Sequence, residues 1–262
     1  MIRIDNLYAM IFLTKLPIKL LLFSVFLLNG FNNYASFLDD QLKYSRVKSA
    51  YTEKKPIITE KLTNMDLKLN NVNVLIKAYK YEQKVKIYVK HKDSTVYKLY
   101  DQFIFNCTSG DLGPKRTEGD FQIPEGFYHV NHFNPYSNFH LSLGVSYPNK
   151  SDKLKSTAKK KGGAIYMHGG CASIGCIPIE DEPIKEVYVL SVLAKNSGQS
   201  QIGIDILPFE YTKSKFDSAV LLYPDHKDFW ANLFEIEKTF DATKKESKIG
   251  VKENGDYYII GS

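Results

Sequence analysis

Hydrophobic residues between positions 73 and 105 recur with a period of two, which predicts β-strands. Val74 and Ile76 alternate with polar neighbours, and the alternation resumes after the turn-like pair Glu82-Gln83. Strand character also marks residues 85–89, 97–105, 127–130, 139–143, 164–167 and 202–206. Short alternating strands separated by polar turns are typical of a mostly antiparallel β domain.

Spacings of three and four residues predict helices before this β region. Within residues 37–55, apolar residues with this spacing lie among charged ones, at Leu38, Leu42, Val47 and Ala50. The helix should end near Pro56, because the residue before a proline is disfavoured in the α conformation. A second helix is predicted within residues 57–69.

Helical patterns also follow the β region. Acidic residues precede Pro183, and this combination favours the start of a helix, here over residues 181–193. Another helix is predicted around residues 227–240, which include the only tryptophan. Residues 249–260 should form a hairpin, because Asn254-Gly255 is a strong two-residue turn signal.

The composition of the 262 residues is that of a globular protein, because 44% hydrophobic and 13% aromatic content can build a core. The net charge of +6 is modest and the lysines are spread along the chain, so nucleic-acid binding is not indicated. Lysines are densest in residues 149–163. We interpret this segment as a solvated loop, with a flap over a site as the alternative.

The first 35 residues have the features of an export signal. Arg3, Lys15 and Lys19 precede an apolar run over residues 20–28, which is shorter than the about 20 residues of a membrane span. The cleavage site is not strongly marked, so an uncleaved anchor stays an alternative. We expect an exported protein that contacts a membrane only through this segment.

The candidate chemistry lies in residues 164–180, A-I-Y-M-H-G-G-C-A-S-I-G-C-I-P-I-E. The pattern predicts a strand that leads to His168, a glycine-rich loop, and a second strand after Cys176. A cysteine nucleophile needs a nearby base to form its thiolate, and an imidazole can serve. Glycines in the loop allow sharp turns and close approach to a substrate. We therefore predict Cys176 as the nucleophile and His168 as its base.

Three other interpretations of this loop are weaker. His168, Cys171 and Cys176 could bind zinc, but the loop supplies no fourth ligand and no paired C-x-x-C. Ser173 lacks the G-x-S-x-G pattern of a serine nucleophile, because Cys171 stands two residues before it. The third interpretation is a histidine and a cysteine with structural roles alone. We predict neither a metal nor a cofactor.

The segment H-G-G-C-A-S-I-G-C resembles the active-site signature of the YkuD-type L,D-transpeptidases, whose core is S-x-G-C downstream of an H-G. It is most similar to their YafK-like branch (murein L,D-transpeptidase/amidase), in which the histidine and the cysteine lie close in sequence. Upstream segments within 109–128 and 139–143 match the same branch. The resemblance implies a mainly β, mixed α+β protein: a YkuD-like β-sandwich catalytic domain with flanking helices.

The resemblance also implies roles for the residues of the loop. Cys176 would be the acylated nucleophile and His168 the base, while Ser173, Gly175 and Gly169 would shape the surroundings of the thiol and the oxyanion.

A substrate carboxylate needs a cationic contact. The broader family commonly has an arginine two residues after the nucleophile, where this chain has Pro178. Arg116, with Lys115 beside it, is therefore a candidate for that contact, since a guanidinium can bind a carboxylate through two hydrogen bonds.

The chain has three cysteines, and an odd count in an exported protein suggests one free reactive thiol. Cys107 and Cys171 could then pair, because Cys107 follows a predicted strand and precedes the Ser109-Gly110 turn of the resemblance. Two independent buried thiols are the alternative.

The resemblance implies an exported cysteine acyl-transferase in the periplasm or cell envelope that acts on peptidoglycan stem peptides. Hydrolytic use of the same site is the first alternative, as an L,D-carboxypeptidase or as an amidase that releases a wall-linked envelope protein. A non-catalytic wall-binding module is the second. The predicted parts are a signal or anchor (1–35), a helical extension (36–72), the catalytic domain (73–209), and a C-terminal helix and hairpin (210–262).

Overall fold

The structure is a computed structural model that describes residues 36–261, and its main element is an eight-stranded sheet. The strands are β1 (Val72–Tyr79), β2 (Lys84–His91), β3 (Lys98–Ile104), β4 (Gly126–Asn134), β5 (Ser142–Val145), β6 (Tyr166–His168), β7 (Ile177–Pro178) and β8 (Gly203–Leu207). Their order across the sheet is β3-β2-β1-β8-β4-β5-β6-β7. Only β1–β8 and β6–β7 are parallel among these pairs, so the predicted mostly antiparallel arrangement is confirmed.

Helices surround this sheet. They are α1 (Phe37–Leu42), α2 (Ser45–Thr63), α3 (Lys150–Lys155), α4 (Asp181–Asn196), α5 (Lys213–Leu222) and α6 (Lys227–Thr243). Strands β9 (Ile249–Val251) and β10 (Tyr257–Ile259) form a separate hairpin, as the Asn254-Gly255 turn predicted. The predicted mixed α+β fold with flanking helices is therefore confirmed.

The sheet curls at β4. The first part of β4, from Gly126 to His129, pairs with β8, and the later part pairs with β5 after a register shift between Val130 and His132. A shift of this kind bends a strand and increases its twist. The part of the sheet formed by β5, β6 and β7 follows this bend, and β7 is the terminal strand.

Helices pack against both faces of the sheet because the strands are apolar on both. On one face, Ile76 of β1 belongs to the main core with Val187 and Leu190 of α4, and α2 packs on α4. On the other face, Trp230 of α6 packs in a second core with Leu207 of β8. Alternate residues of a strand point to opposite faces, so one strand can contribute to both cores.

Helix α6 also fixes the loop between β3 and β4. The indole Nε1 of Trp230 donates to the Glu125 carboxylate at 2.8 Å, and the N–H of Gly113 donates to the other carboxylate oxygen at 2.8 Å. The ammonium of Lys80 lies 3.1 Å from the same carboxylate. The middle of the loop is thus tied to a buried acid at its end.

The predicted helix end near Pro56 is wrong. Helix α2 continues through Pro56 to Thr63. Its buried positions recur every three or four residues on both sides of the proline, at Val47, Ala50, Lys54, Ile58 and Leu62. A proline in a helix interior removes one hydrogen bond, and burial of this continuous face offsets that cost.

Two helices were not predicted from the pattern. Helix α5 packs on the second core through Phe216, Ala219 and Val220, but it ends in Leu221 and Leu222, which are 83% and 76% exposed and obscure this apolar face. The lysine-rich segment contains α3, which begins at a capping box formed by Asn149 and Asp152. The predicted strand over 139–143 begins only at Ser142.

The export signal or anchor predicted for residues 1–35 lies outside the described residues. From Ser36 onward the chain forms one compact unit. Among residues 36–261, no helix combines the length and the apolar character that a membrane crossing requires. The domain borders near residues 72 and 209 stay predictions.

Candidate active site

Strands β6 and β7 bring the two candidate catalytic residues onto one face of the sheet. His168 is the last residue of β6, and Cys176 directly precedes β7. In the parallel register, Met167 lies opposite Ile177, and both are fully buried in the core. Since strand residues alternate between faces, His168 and Cys176 both lie on the opposite face. Strand spacing and rise place their Cα atoms about 8 Å apart.

The imidazole of His168 is held in one orientation. Its Nδ1 is hydrogen-bonded to the carbonyl oxygen of Gly169, which can only accept, so Nδ1 carries the proton and Nε2 is the basic nitrogen. The ring of Phe139 stacks on the imidazole with centroids 4.6 Å apart. Burial lowers the pKa of His168, because a buried imidazolium loses hydration.

The Cys176 thiol is partly buried, which favours its uncharged form. Burial raises its pKa, while the N–H of Tyr166 and the ammonium of Lys115 partly oppose that effect. The thiol contacts the carbonyl oxygen of Ala164 at 3.8 Å. Within the described part of the chain, it shares no hydrogen bond with His168. Burial thus favours the neutral forms of both groups, and Cys176 as nucleophile with His168 as its base stays a prediction.

We expect alkylation of Cys176 by iodoacetamide to accelerate with pH along a curve whose midpoint lies above that of an exposed cysteine. The reason is the raised pKa of the thiol. Intact mass measured against time and pH gives the rate, because Cys176 is the free cysteine. The His168→Ala variant should keep the same midpoint, since among the described residues the thiol makes no hydrogen bond to the imidazole. A midpoint below neutral pH that disappears in His168→Ala would instead establish a thiolate–imidazolium pair.

Ser173 and Gly175 shape the turn that presents Cys176. The hydroxyl of Ser173 donates to the Cys176 carbonyl at 2.8 Å and accepts from the Gly175 N–H at 3.0 Å. Gly175 has a φ of +123°, and a Cβ there would lie 2.9 Å from the Gln122 carbonyl oxygen. Only glycine suits this position.

The N–H groups of two predicted orienting residues are already bonded within the protein. Gly169 donates to the Phe139 carbonyl at 3.0 Å, and Gly175 donates to Ser173. The N–H of Ile179 donates to the His168 carbonyl at 2.9 Å, so it points toward β6. Backbone N–H groups alternate in direction along a strand, so the N–H of Cys176, three residues earlier, points away from β6. Among residues 36–261 the N–H of Cys176 has no hydrogen-bond partner, and this alternation directs it toward the open edge of β7.

Cys176 lines an open cavity of about 750 Å³. The other walls come from two loops that carry Lys115, Phe121 and Lys160, and from Ile174 of the glycine-rich loop. The N–H of Glu118 donates to the Lys160 carbonyl at 3.1 Å, which joins the two loops. A cavity of this size and mixed polarity suits a peptide-sized ligand.

Of the two predicted substrate contacts, the structure brings only Lys115 to the cavity. Its side chain is 4% exposed, pairs with Asp120 and donates to the Thr117 carbonyl at 3.0 Å. Arg116 instead lies 3.1 Å from the buried Asp152, and its guanidinium is over the Phe229 ring at 4.9 Å. The guanidinium is thus occupied away from the cavity, which disagrees with its prediction as the carboxylate contact.

A disulfide accounts for two of the three cysteines. Cys107 and Cys171 are joined, with Cα atoms 5.3 Å apart, which lies in the usual range. Of the two alternatives left open by the sequence, the structure has the disulfide, and Cys176 is left as the free cysteine. Cys171 is no longer available to the zinc site considered from the sequence.

Three residues of the site were not predicted from the sequence as part of it. Phe139 stacks on His168, Asp181 accepts from the Gly170 N–H at 2.8 Å, and Asp120 accepts from the N–H groups of Arg116 and Thr117, both at 2.9 Å. From the sequence, Asp181 was noted only as an acidic residue at the start of a predicted helix, which did not indicate a role at the site. The Phe139 contact depends on pairing across the sheet and leaves no local signal.

Comparisons with known proteins agree with this geometry. The model of the YkuD family, the L,D-transpeptidase catalytic domain, matches residues 74–194. The Escherichia coli (strain K12) protein named "Putative L,D-transpeptidase YafK" is 32% identical over 188 residues, which cover 71% of this chain and 73% of that protein.

Two solved structures are similar at low identity. The helical cell shape determining protein Pgp2 from Campylobacter jejuni is 17% identical, with a TM-score of 0.40, over 70% of this chain and 74% of that one. Bdellovibrio bacteriovorus Bd1075 is 18% identical, with a TM-score of 0.39, over 65% of this chain and 57% of that one. The sequence matches are the stronger finding, and by the identity and coverage of the YafK relative the chain belongs to the YkuD family of L,D-transpeptidases.

Proposed function

We propose that this protein is an exported cysteine acyl-transferase that acts on peptidoglycan stem peptides through a thioester on Cys176. Membership of the family supports an enzyme with a role at peptidoglycan. The observation that carries the proposal is the free thiol of Cys176, which shares a sheet face with the basic Nε2 of His168 and opens into a peptide-sized cavity.

In the first step, the thiol attacks the carbonyl carbon of the diamino acid in the stem peptide. As the carbon–sulfur bond forms, the thiol proton passes to Nε2 of His168, so neither group needs to be charged beforehand. A backbone donor such as the Cys176 N–H stabilises the tetrahedral oxyanion. The imidazolium then protonates the leaving amine, the carbon–nitrogen bond breaks, and the thioester remains.

In the second step, an amine or a water molecule resolves the thioester. The imidazole takes a proton from the attacking group and returns it to the sulfur of Cys176. An amine gives transpeptidation, and water gives carboxypeptidase or amidase action. The cavity beside Cys176 is open to solvent, which supports the hydrolytic alternative as a second candidate function.

Lys115 is our proposal for the cation that faces a substrate carboxylate, in place of Arg116. Its side chain lines the cavity of the nucleophile, and the pairing with Asp120 fixes it there. An ammonium group can serve as a point charge for a carboxylate without the two-bond geometry of a guanidinium.

The test is mass spectrometry of protein and products after the purified full-length protein is incubated with isolated peptidoglycan and its tetrapeptide fragments. We expect a stem-peptide adduct that maps to Cys176. New 3-3 cross-links or exchanged terminal amino acids would identify a transpeptidase, and released peptide or protein without new links a hydrolase. Absence of both adduct and product with several wall types would leave only the non-catalytic wall-binding module.

A further inference from the structure

Residues 106–109 run beside the catalytic loop, which we define as residues 169–176. Cys107 forms the disulfide with Cys171, in the middle of that loop. The hydroxyls of Ser109 and Ser173 lie 3.3 Å apart. Asn106 donates to the carboxylate of Glu180 at 3.0 Å, just beyond β7. The 106–109 segment thus contacts the loop or its exit through three of its four residues.

The two halves of the catalytic loop are attached differently. The first half is bonded to the body of the fold, because Gly169 donates to the Phe139 carbonyl and Gly170 donates to Asp181. In the second half, the hydrogen bonds of Gly175 and of Ser173 to Cys176 stay within the loop. The nucleophile therefore stands between this half-loop and β7, and the disulfide cross-links the start of the half-loop to residues 106–109.

We propose that the Cys107–Cys171 disulfide is a positioning element for the nucleophile, so that acyl transfer by Cys176 requires these two cysteines to be oxidised. Oxidised, the disulfide holds Ser173 against Ser109 and thereby keeps the turn that presents Cys176. Reduced, the half-loop moves more freely while the two cores, which contain neither cysteine, keep the fold. The inference rests on the proposed function of Cys176.

The chemistry requires only a dithiol. Cys107 and Cys171 are both exposed, so a reagent such as dithiothreitol can reach the bond. One reagent thiolate attacks a disulfide sulfur, the second displaces it, the reagent closes into its cyclic disulfide, and protons pass to the two cysteine sulfurs. Cys176 is already a thiol and is not altered by this reaction.

The experiment compares the oxidised wild type, the wild type in dithiothreitol, and the Cys107→Ala/Cys171→Ala variant, all as full-length protein. We expect kcat on peptidoglycan fragments to fall about tenfold or more upon reduction, with KM nearly unchanged, because a small displacement of a reacting group costs a large factor in rate. The double variant should have the reduced rate and should not respond to dithiothreitol. Reoxidation of the wild type should restore kcat.

A second readout separates this inference from the proposed function. The double variant and the oxidised wild type each contain one free thiol, so alkylation of Cys176 can be compared cleanly by intact mass. We expect its rate to change at least threefold while circular dichroism stays the same. Equal alkylation and equal kcat in the two proteins would overturn the positioning role, as would a loss of kcat that only follows the unfolded fraction. A changed alkylation rate with no turnover in any form would support positioning and refute the acyl-transferase.

Discussion

Replacement of Cys176 by alanine is expected to lower kcat for acyl transfer by about a millionfold, the scale seen when a covalent nucleophile is removed from a hydrolase. Within the catalytic loop, residues 169–176, no other side chain can substitute. Ser173 is the nearest hydroxyl in the loop, but it donates its proton to the Cys176 carbonyl and accepts from Gly175. The variant should also carry no stem-peptide adduct by mass spectrometry.

The matched control is Cys176→Ser, which keeps a nucleophilic atom at the same place. A serine hydroxyl is much less acidic than a thiol, and burial disfavours the imidazolium form of His168 that could assist it. We expect this variant to fold normally and to lose nearly as much activity. Turnover near the wild-type rate in Cys176→Ala would place the nucleophile elsewhere and refute the site.

Replacement of Lys77 by methionine is expected to destabilise the fold by about 3–5 kcal/mol, the cost of breaking a buried ion pair. Lys77 is 1% exposed, and its Nζ lies 2.7 Å from both Asp205 and Glu237. It also lies 4.0 Å from the centroid of the Phe240 ring. Methionine keeps the length of the side chain but leaves two carboxylates between β1, β8 and α6 without their cation. Urea unfolding followed by the fluorescence of the buried Trp230 gives the change in free energy.

This loss should depend on pH. Burial raises the pKa of Glu237, and Lys77 opposes that rise, so removal of Lys77 raises the pKa further. A carboxyl whose pKa is higher in the folded state favours folding at low pH, and this contribution is lost as pH rises through the folded pKa. The deficit of Lys77→Met relative to wild type should therefore grow with pH above the ordinary range of a glutamate.

Two controls isolate the buried charges. Lys77→Met/Glu237→Gln should recover part of the lost stability, because one uncompensated carboxylate is removed. Lys213→Met removes a lysine that is 82% exposed in its ion pair with Asp217, and no measurable change is expected. An unfolding midpoint of Lys77→Met equal to that of Lys213→Met would mean that the buried cluster does not stabilise the fold.

Much of the fold was predictable because its signals are local. The alternation at Val74 and Ile76 reflects a strand with a buried face, and Asn254-Gly255 fits a hairpin turn regardless of the rest of the chain. The predicted end of helix α2 at Pro56 was wrong because the signal there is not local. Packing against residues distant in sequence offset the local cost of a proline inside a helix. The exposed leucines at the end of α5 obscured its apolar face.

The candidate site likewise has features that the sequence predicts and features that it does not. The chemistry of a thiol, an imidazole and flexible glycines is carried by the residue types in one short segment, so His168 and Cys176 could be proposed from it. The sequence could not show which way the cationic side chains point. Lys115 and Arg116 are adjacent in sequence but pair with different acids. Asp120 lies in the same loop as both, whereas Asp152 comes from α3.

The sequence by itself determined the alternation of the strands, the glycine-rich loop with its cysteine and histidine, and the membership of the family. Each of these depends on neighbours along the chain. Tertiary structure alone decided the parallel pairing of β1 with β8, which brings Lys77 to Asp205, 128 residues away. It also decided that burial raises the pKa of the thiol and lowers the pKa of the imidazole. The physical reason is that burial and charge pairing arise from residues far apart in sequence, which only the folded chain brings together.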